Sequence, residues 1–245
     1  MTTALIDGDI VAYRCAASCE KQGVAVEPEE VALFRVDDLM GRIIHETSAE
    51  FYYPFLTGSN NFRYKYNPNY KANRKDMKRP DYLEACREHL VVNWKAQVSD
   101  GCEADDHLAI EQTKNPDETI ICTIDKDLLQ VTGRHYNFVK QEFRTISPIE
   151  GRFNFYWQFI MGDKSDNIMG YDGLARQTIP KKLEGIQQDM QELAHDELAL
   201  FNYVRGIYQL GDGALLMNGR CLYMQRYENE DWGEHFENLC KMSTV

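Results

Sequence analysis

Short apolar runs alternate along this chain with stretches whose apolar positions recur at helical spacing. TALI (3–6) reads as a strand running straight into Asp7, with a helical pattern following through 10–18. Asp37-Asp38 reads as the start of a helix reaching His45, and the aromatic-rich EFYYPFLT (50–57) as a second strand. Residues 62–79 carry Asn67, Pro68, Asn69 and Asn73 without a clear period, which predicts a loop or irregular bridge. Pro80 suits the first turn of a helix to about 95, and Glu103 to Lys114 reads as another with acids in its first turn. TIICTI (119–124) is a buried-strand run, and HYNFV with EFRTI predicts a hairpin. Pro148 opens an aromatic helix to about 161. Beyond the GDKSDN loop the chain reads as helical with interruptions through Lys182 and mostly helical to about 210. Residues 211–245 yield no firm pattern.

Strands alternating with helices predict an α/β fold with a mostly parallel sheet covered on both faces. The expected division is 1–160 for the sheet domain, with a basic bridge at about 62–95, and 161–245 for a helical region. With 245 residues, 43% apolar and 27% charged, the chain has the composition of an ordinary globular protein. No run of eighteen apolar residues appears, and MTTALIDGD lacks a basic flank and cleavage site, which argues against membrane insertion and secretion. Seven cysteines without CxxC spacing read as reduced thiols, hence a cytoplasmic protein, in the host cytoplasm if the chain is phage-encoded.

The net charge of −12 argues against a polyanionic partner until its distribution is read. Arg63, Lys65, Lys71, Arg74, Lys75, Lys78 and Arg79 stand against Asp76 alone in 63–79, whereas 184–245 holds eleven acids and four bases. A basic strip on an otherwise negative surface suits a phosphate ligand steered to one place; its plain rival is a solvated loop.

The acids are gathered in tight packets: Asp7-Gly-Asp9, Glu103-Ala-Asp105-Asp106, Asp125-Lys-Asp127 and Asp163-Lys-Ser-Asp166. Three follow apolar, strand-like runs: TALI, TIICTI and the FIM before Gly162. Loops at the carboxyl ends of sheet strands converge, so separate packets would share one pocket. Two unit charges about 4 Å apart repel by roughly 4 kcal/mol at an effective dielectric near 20. Such a pocket must take up protons or hold a cation, and oxygen-only donors favour Mg²⁺ or Mn²⁺ over zinc. Each packet alone has an ordinary reading: Asp-Gly favours turns, acids at 103–106 complement a helix N-terminus, and Asp163 or Asp166 can cap a helix. In an extended backbone Asp7 and Asp9 would project to one side. Together the packets fit a two-metal site for phosphodiester hydrolysis. His107 reads as structural, FNFYWQF as core, and no phosphate-binding G-x-x-x-x-G-K-[ST] loop is present.

Taken in order, LIDGD, NYKANRK, EADD, TIDKDLLQ and MGDKSDNIMG resemble the 5′-to-3′ exonucleases of the flap endonuclease superfamily, and PNYKANRK resembles the phage-encoded members. The resemblance covers about residues 3 to 183. It implies a PIN-like parallel sheet followed by a helix–three-turn–helix element that grips duplex DNA. It also implies metal-binding roles for Asp7, Glu103, Asp105, Asp106, Asp125, Asp127, Asp163 and Asp166. Asp7, Glu103, Asp105 and Asp106 would organise the more buried ion, and the other four would hold or hydrate the second. Lys71 and Arg74 match the basic pair contacting the reacting phosphate, and Tyr70 an aromatic on which a terminal base stacks, with a core tyrosine as the rival. Asp9 is a weaker, outer candidate. Lys75, Arg176, Lys181 and Lys182 are DNA-binding candidates, and potassium is a candidate ion in the helix–three-turn–helix region.

Three departures from the pattern stand out. Gly58 occupies the place of a family aspartate after the second strand. Residues 72–102, 31 in all, are short for a full helical arch, so an open bridge acting at duplex 5′ ends is expected over a threaded flap. GYDGLARQTIPKKL lacks the usual glycine-rich turn. The expected function is a Mg²⁺- or Mn²⁺-dependent 5′-to-3′ DNA exonuclease, with flap cleavage and RNA-primer removal as further activities. Duplex ends, nicks, 5′ flaps or RNA–DNA hybrids would be its substrates, and a monomer its form. A PIN-type endoribonuclease and a non-catalytic DNA-structure binding module are the rivals.

Overall fold

The computed structural model describes residues 1–75 and 77–243; Asp76, part of the basic strip, lies outside the described residues. The chain divides into two compact units. The first holds 1–61, 77–128 and 133–145. The second gathers 62–75 and 129–132 with the chain from 146 onward. The part of the basic segment up to Lys75 therefore belongs with the helical unit and Lys78 and Arg79 with the first, whereas the sequence placed the whole of it inside a 1–160 domain.

The first unit is built on a sheet. Its strands are β1 (Thr3–Asp7), β4 (Phe51–Thr57), β5 (Gln97–Ser99), β6 (Thr119–Cys122), β7 (Gly133–Asn137) and β8 (Glu142–Ile146), in the order β5-β4-β1-β6-β7-β8. β1 runs parallel to both β4 and β6, and β4–β5 and β6–β7 are also parallel. After β1 the chain builds outward through β4 and β5, then returns to the other side of β1 as β6. The carboxyl ends of β1 and β6 therefore lie where the strand order reverses, the usual place for a ligand in such sheets. A two-residue turn at Gln22 and Gly23, both with positive φ, joins a small hairpin of β2 (Glu20–Lys21) and β3 (Val24–Ala25) that the sequence reading passed over.

Period-two alternation assigns the faces. Ala4 and Ile6 join Leu56 in a core with α1 (Gly8–Ser18), α2 (Glu29–Thr47) and α4 (Leu83–Trp94). Phe55 points the other way, its ring 5.6 Å from His107 of α5 (Ala104–Lys114). α2 begins eight residues before the predicted Asp37-Asp38 start. Its buried Ala32, Val36, Leu39, Met40 and Ile43 hold a continuous helical stripe, so the two aspartates sit on its solvent side in mid-helix.

The second unit is helical: α3 (Arg63–Tyr66), α6 (Pro148–Met161), α7 (Glu184–Leu193), α8 (Glu197–Ile207), α9 (Gly211–Leu222) and α10 (Trp232–Met242). Phe155, Phe159, Leu200, Phe201, Leu222, Trp232 and Phe236 fill its core. The FIM run, read as strand-like, is the last turn of α6. Residues 162–180 are irregular, with one β-bridge between Asp163 and Ile168, rather than an interrupted helix. No helix among the described residues is long and apolar enough to cross a membrane. All seven cysteines are free thiols.

Candidate active site

β1 delivers Asp7 to its carboxyl end, and the same residue caps α1: Oδ1 accepts from the Ile10 amide at 3.0 Å. Gly8 follows because a Cβ there would lie 2.6 Å from the Phe55 carbonyl; close packing, rather than turn geometry alone, demands it. Asp7 Oδ2 accepts from the Thr123 hydroxyl at 2.7 Å, and the same hydroxyl accepts from the Asp125 amide at 3.0 Å. Asp125 Oδ1 in turn accepts from the Asp127 amide at 2.8 Å. Thr123 thus ties the acidic ends of β1 and β6 together. Asp7 is 2% exposed, and burial raises its pKa to about 7. The Thr123 and Ile10 hydrogen bonds oppose that rise, while the Asp9 and Asp125 charges add to it.

Glu103 is the N-cap of α5 and forms a reciprocal capping box with Asp106, whose Oδ2 accepts from the Glu103 amide at 3.0 Å. Both are buried, and Asn61 donates to Glu103 Oε1 at 2.8 Å. Asp105 is half-buried on the first turn. The Ala104 amide donates to Thr57 Oγ1 at 3.0 Å, fixing the start of α5 at the carboxyl end of β4. The capping box fixes both carboxylates at the start of α5.

Asp9 departs from its expected place. It lies in the first turn of α1, not on extended backbone, and accepts from the Thr57 amide at 2.8 Å. Arg87 pairs with it and also donates to the Thr57 carbonyl at 2.6 Å. Asp9 is thereby a neutralised clamp between α1, α4 and β4. At Gly58 a Cβ would stand 2.1 Å from the Ser99 carbonyl, so no side chain fits where the family aspartate is expected.

Within the second unit, residues 69–74 lie against the GDKSDN loop. The Lys71 amide donates to the Asp166 carbonyl at 3.0 Å, Asn73 to the Lys164 carbonyl at 2.7 Å and Arg74 Nε to the Ser165 carbonyl at 3.0 Å. Asn167 returns the contact through the Asn69 carbonyl at 2.9 Å. Asp166 receives Tyr70 Oη at 2.7 Å and Arg74 Nη2 at 2.6 Å, with Lys71 Nζ at 3.7 Å. Asp163 is buried and accepts from the Ser165 hydroxyl and, at 2.9 Å, from the Asp166 amide.

Tyr70 is 2% exposed, with Tyr64 edge-on at 5.7 Å and the Lys71 ammonium 4.9 Å from its ring centre. It is a core tyrosine that orients Asp166, not an open stacking platform. Arg63, counted in the basic strip, is fully buried and donates to the Cys221 and Tyr223 carbonyls. Arg176 is also structural: its side chain is 8% exposed and pairs with Asp172. Lys182 reaches the same Asp172 at 3.4 Å, while Lys75 and Lys181 are exposed.

The sequence reading missed Thr123, Asn61, Thr57 and Arg87. Thr123 carried a signal, since a hydroxyl beside a strand-end acid is a ready donor; the others are remote in sequence and carried none. For a divalent ion the donor chemistry fits: hard oxygens only, with Asp7 buried among negative charges and strained toward protonation. Among the described residues, no three His, Cys, Asp or Glu side chains are grouped so as to hold an ion by themselves.

The chain is similar to known nucleases. A family model described as the 5′-3′ exonuclease N-terminal resolvase-like domain matches residues 2–154. The bacteriophage T5 flap endonuclease, crystallised as a pseudo-enzyme-product complex with DNA and metal ions, is 14% identical and superposes with a TM-score of 0.57, covering 100% of both chains. The T5 5′-exonuclease with bound zinc is 15% identical with the same TM-score, covering 99% of this chain and 100% of its own. These two likenesses establish a shared PIN-like fold. The match over more than half the sequence decides the family: this chain belongs to the 5′-3′ exonucleases and is a nuclease, a hydrolase of nucleic acid.

Proposed function

We propose that the protein is a Mg²⁺- or Mn²⁺-dependent 5′-to-3′ DNA exonuclease acting at duplex 5′ ends and nicks, with flap cleavage and RNA-primer removal as further activities. The observation that carries this reading is Asp7: a buried carboxylate at the reversal point of the sheet, beside other acids, with its proton affinity raised. A bound cation relieves that repulsion. By resemblance, Asp7, Glu103, Asp105 and Asp106 would hold one ion, and Asp125 and Asp127 would hold or hydrate the other; the resemblance gives Asp163 and Asp166 the same task, but Asp166 is already engaged by Lys71, Arg74 and Tyr70. Two such ions, when bound, supply an activated water and neutralise the leaving oxygen.

The remaining work belongs to the chain. Thr123 fixes Asp7 and the Asp125 loop in one register. The α5 capping box holds Glu103 and Asp106 rigid. Lys71 and Arg74 contribute positive charge to the phosphoryl oxygens as charge develops there. Lys75 and Lys181, both exposed, suit DNA backbone contact. Products would carry 5′-phosphates. Digestion of end-labelled flap, nicked and blunt duplexes with Mg²⁺ or Mn²⁺ tests the reading. Release of labelled 5′ nucleotides supports it; release only from the 3′ end, or faster cutting of single-stranded RNA, refutes it.

A further inference from the structure

Asp166 pairs with two cations of the basic segment. Arg74 and Lys71 surround it from one side, and Tyr70 Oη fixes the carboxylate between them. The Asp166 and Lys71 side chains are 17% and 19% exposed, but Arg74 is 47% exposed, so an incoming anion can reach the guanidinium. A phosphate offers the same oxygen acceptors as a carboxylate and matches the guanidinium fork equally well.

We propose that Asp166 is a positioning residue: its carboxylate holds Lys71 and Arg74 aligned in the DNA-free protein and yields them to a DNA phosphate. This rests on reading Lys71 and Arg74 as phosphate-contacting residues. The segment has separate anchors. The Lys71 amide to the Asp166 carbonyl, Asn73 to the Lys164 carbonyl and Asn167 to the Asn69 carbonyl use neither the Asp166 carboxylate nor the Arg74 guanidinium. Lys71 itself adopts φ 54°, an uncommon backbone conformation for a residue with a side chain. Removing the carboxylate therefore frees charge without releasing the segment.

The test is metal-free binding of a fluorescent, 5′-phosphorylated duplex in EDTA across a salt series. Asp166→Asn should bind roughly two- to fivefold more tightly at low salt, the scale of exposed charge pairs, with a salt slope steeper by about 0.9 for one further phosphate neutralised. In a Lys71→Ala/Arg74→Ala background the same substitution should give no gain. Tyr70→Phe keeps the ring in the core and removes one donor from Asp166; it should shift affinity in the same direction by a smaller factor. Unchanged or weaker binding in both single variants overturns the proposal, as does a gain that persists without Lys71 and Arg74. Cleavage by the unmodified enzyme is scored separately, so failure of the nuclease reading would not be mistaken for failure of this one.

Discussion

Asp7 and Asp166 both come from acidic packets, yet their surroundings have opposite sign. Asp7 is held by neutral donors, the Thr123 hydroxyl and the Ile10 amide, and the charges bearing on it are Asp9 and Asp125. Asp166 is held by a lysine, an arginine and a tyrosine hydroxyl. The first arrangement leaves a carboxylate raised chiefly by burial, which a bound cation would stabilise in its charged form. The second is already balanced from within the chain. Acids from similar packets can therefore do different work, and the donors around each one show which.

The comparison can be broken most decisively at α5. Asp105→Asn with Asp106→Asn should reduce hydrolysis by at least about a hundredfold, the scale of losing a directly placed electrostatic group, while DNA affinity holds or rises. Retained turnover in an end-labelled assay would remove the metal role assigned to the first unit. Lys71→Ala with Arg74→Ala should come next, lowering turnover and reducing the salt slope of DNA binding by up to about 1.8, near 0.9 per lost phosphate contact.

A smaller effect should follow from Thr123→Val. It takes the donor from Asp7 and leaves the Asp125 amide without its acceptor, costing about 1–3 kcal/mol of stability and roughly tenfold in activity. Thr123→Ser should restore both, and melting curves with steady-state rates will show whether it does. The smallest effect belongs to the second unit. His235 donates to Glu197 at 2.9 Å, which raises the histidine above its ordinary 6.5. Burial pushes Glu197 up, but His235 and Arg152 outweigh it and hold the acid below 4.5. The histidine's contribution is full below 6.5 and fades as pH rises through its raised value; the glutamate's is full above 4.5 and fades as pH falls. Stability from the pair should therefore peak between these values, by less than about 1 kcal/mol because His235 is half exposed. His235→Gln should flatten the dependence of the melting temperature on pH.

Much of the sheet was legible from the chain alone. TALI, EFYYPFLT and TIICTI are compact apolar runs whose positions and order are those of β1, β4 and β6. The α5 start was legible because capping favours carboxylates at a helix N-terminus. Long-range packing hid the rest. Arg63 looks like any surface base until the Cys221 and Tyr223 carbonyls bury it, and Arg176 looks free until Asp172 claims it. The α2 start was misplaced because a charged Asp37-Asp38 pair imitates a cap in mid-helix. The 162–180 stretch defeated periodicity because turns, not helices, carry it.

Gly58 bears on how this branch of the family could change. The Ser99 carbonyl fills the space that a Cβ would need, so Gly58→Asp would force β5 away from β4. An acid could enter here only if the neighbouring strand moved aside, at a cost in stability. Packing at the sheet edge thus decides which positions are open to a carboxylate.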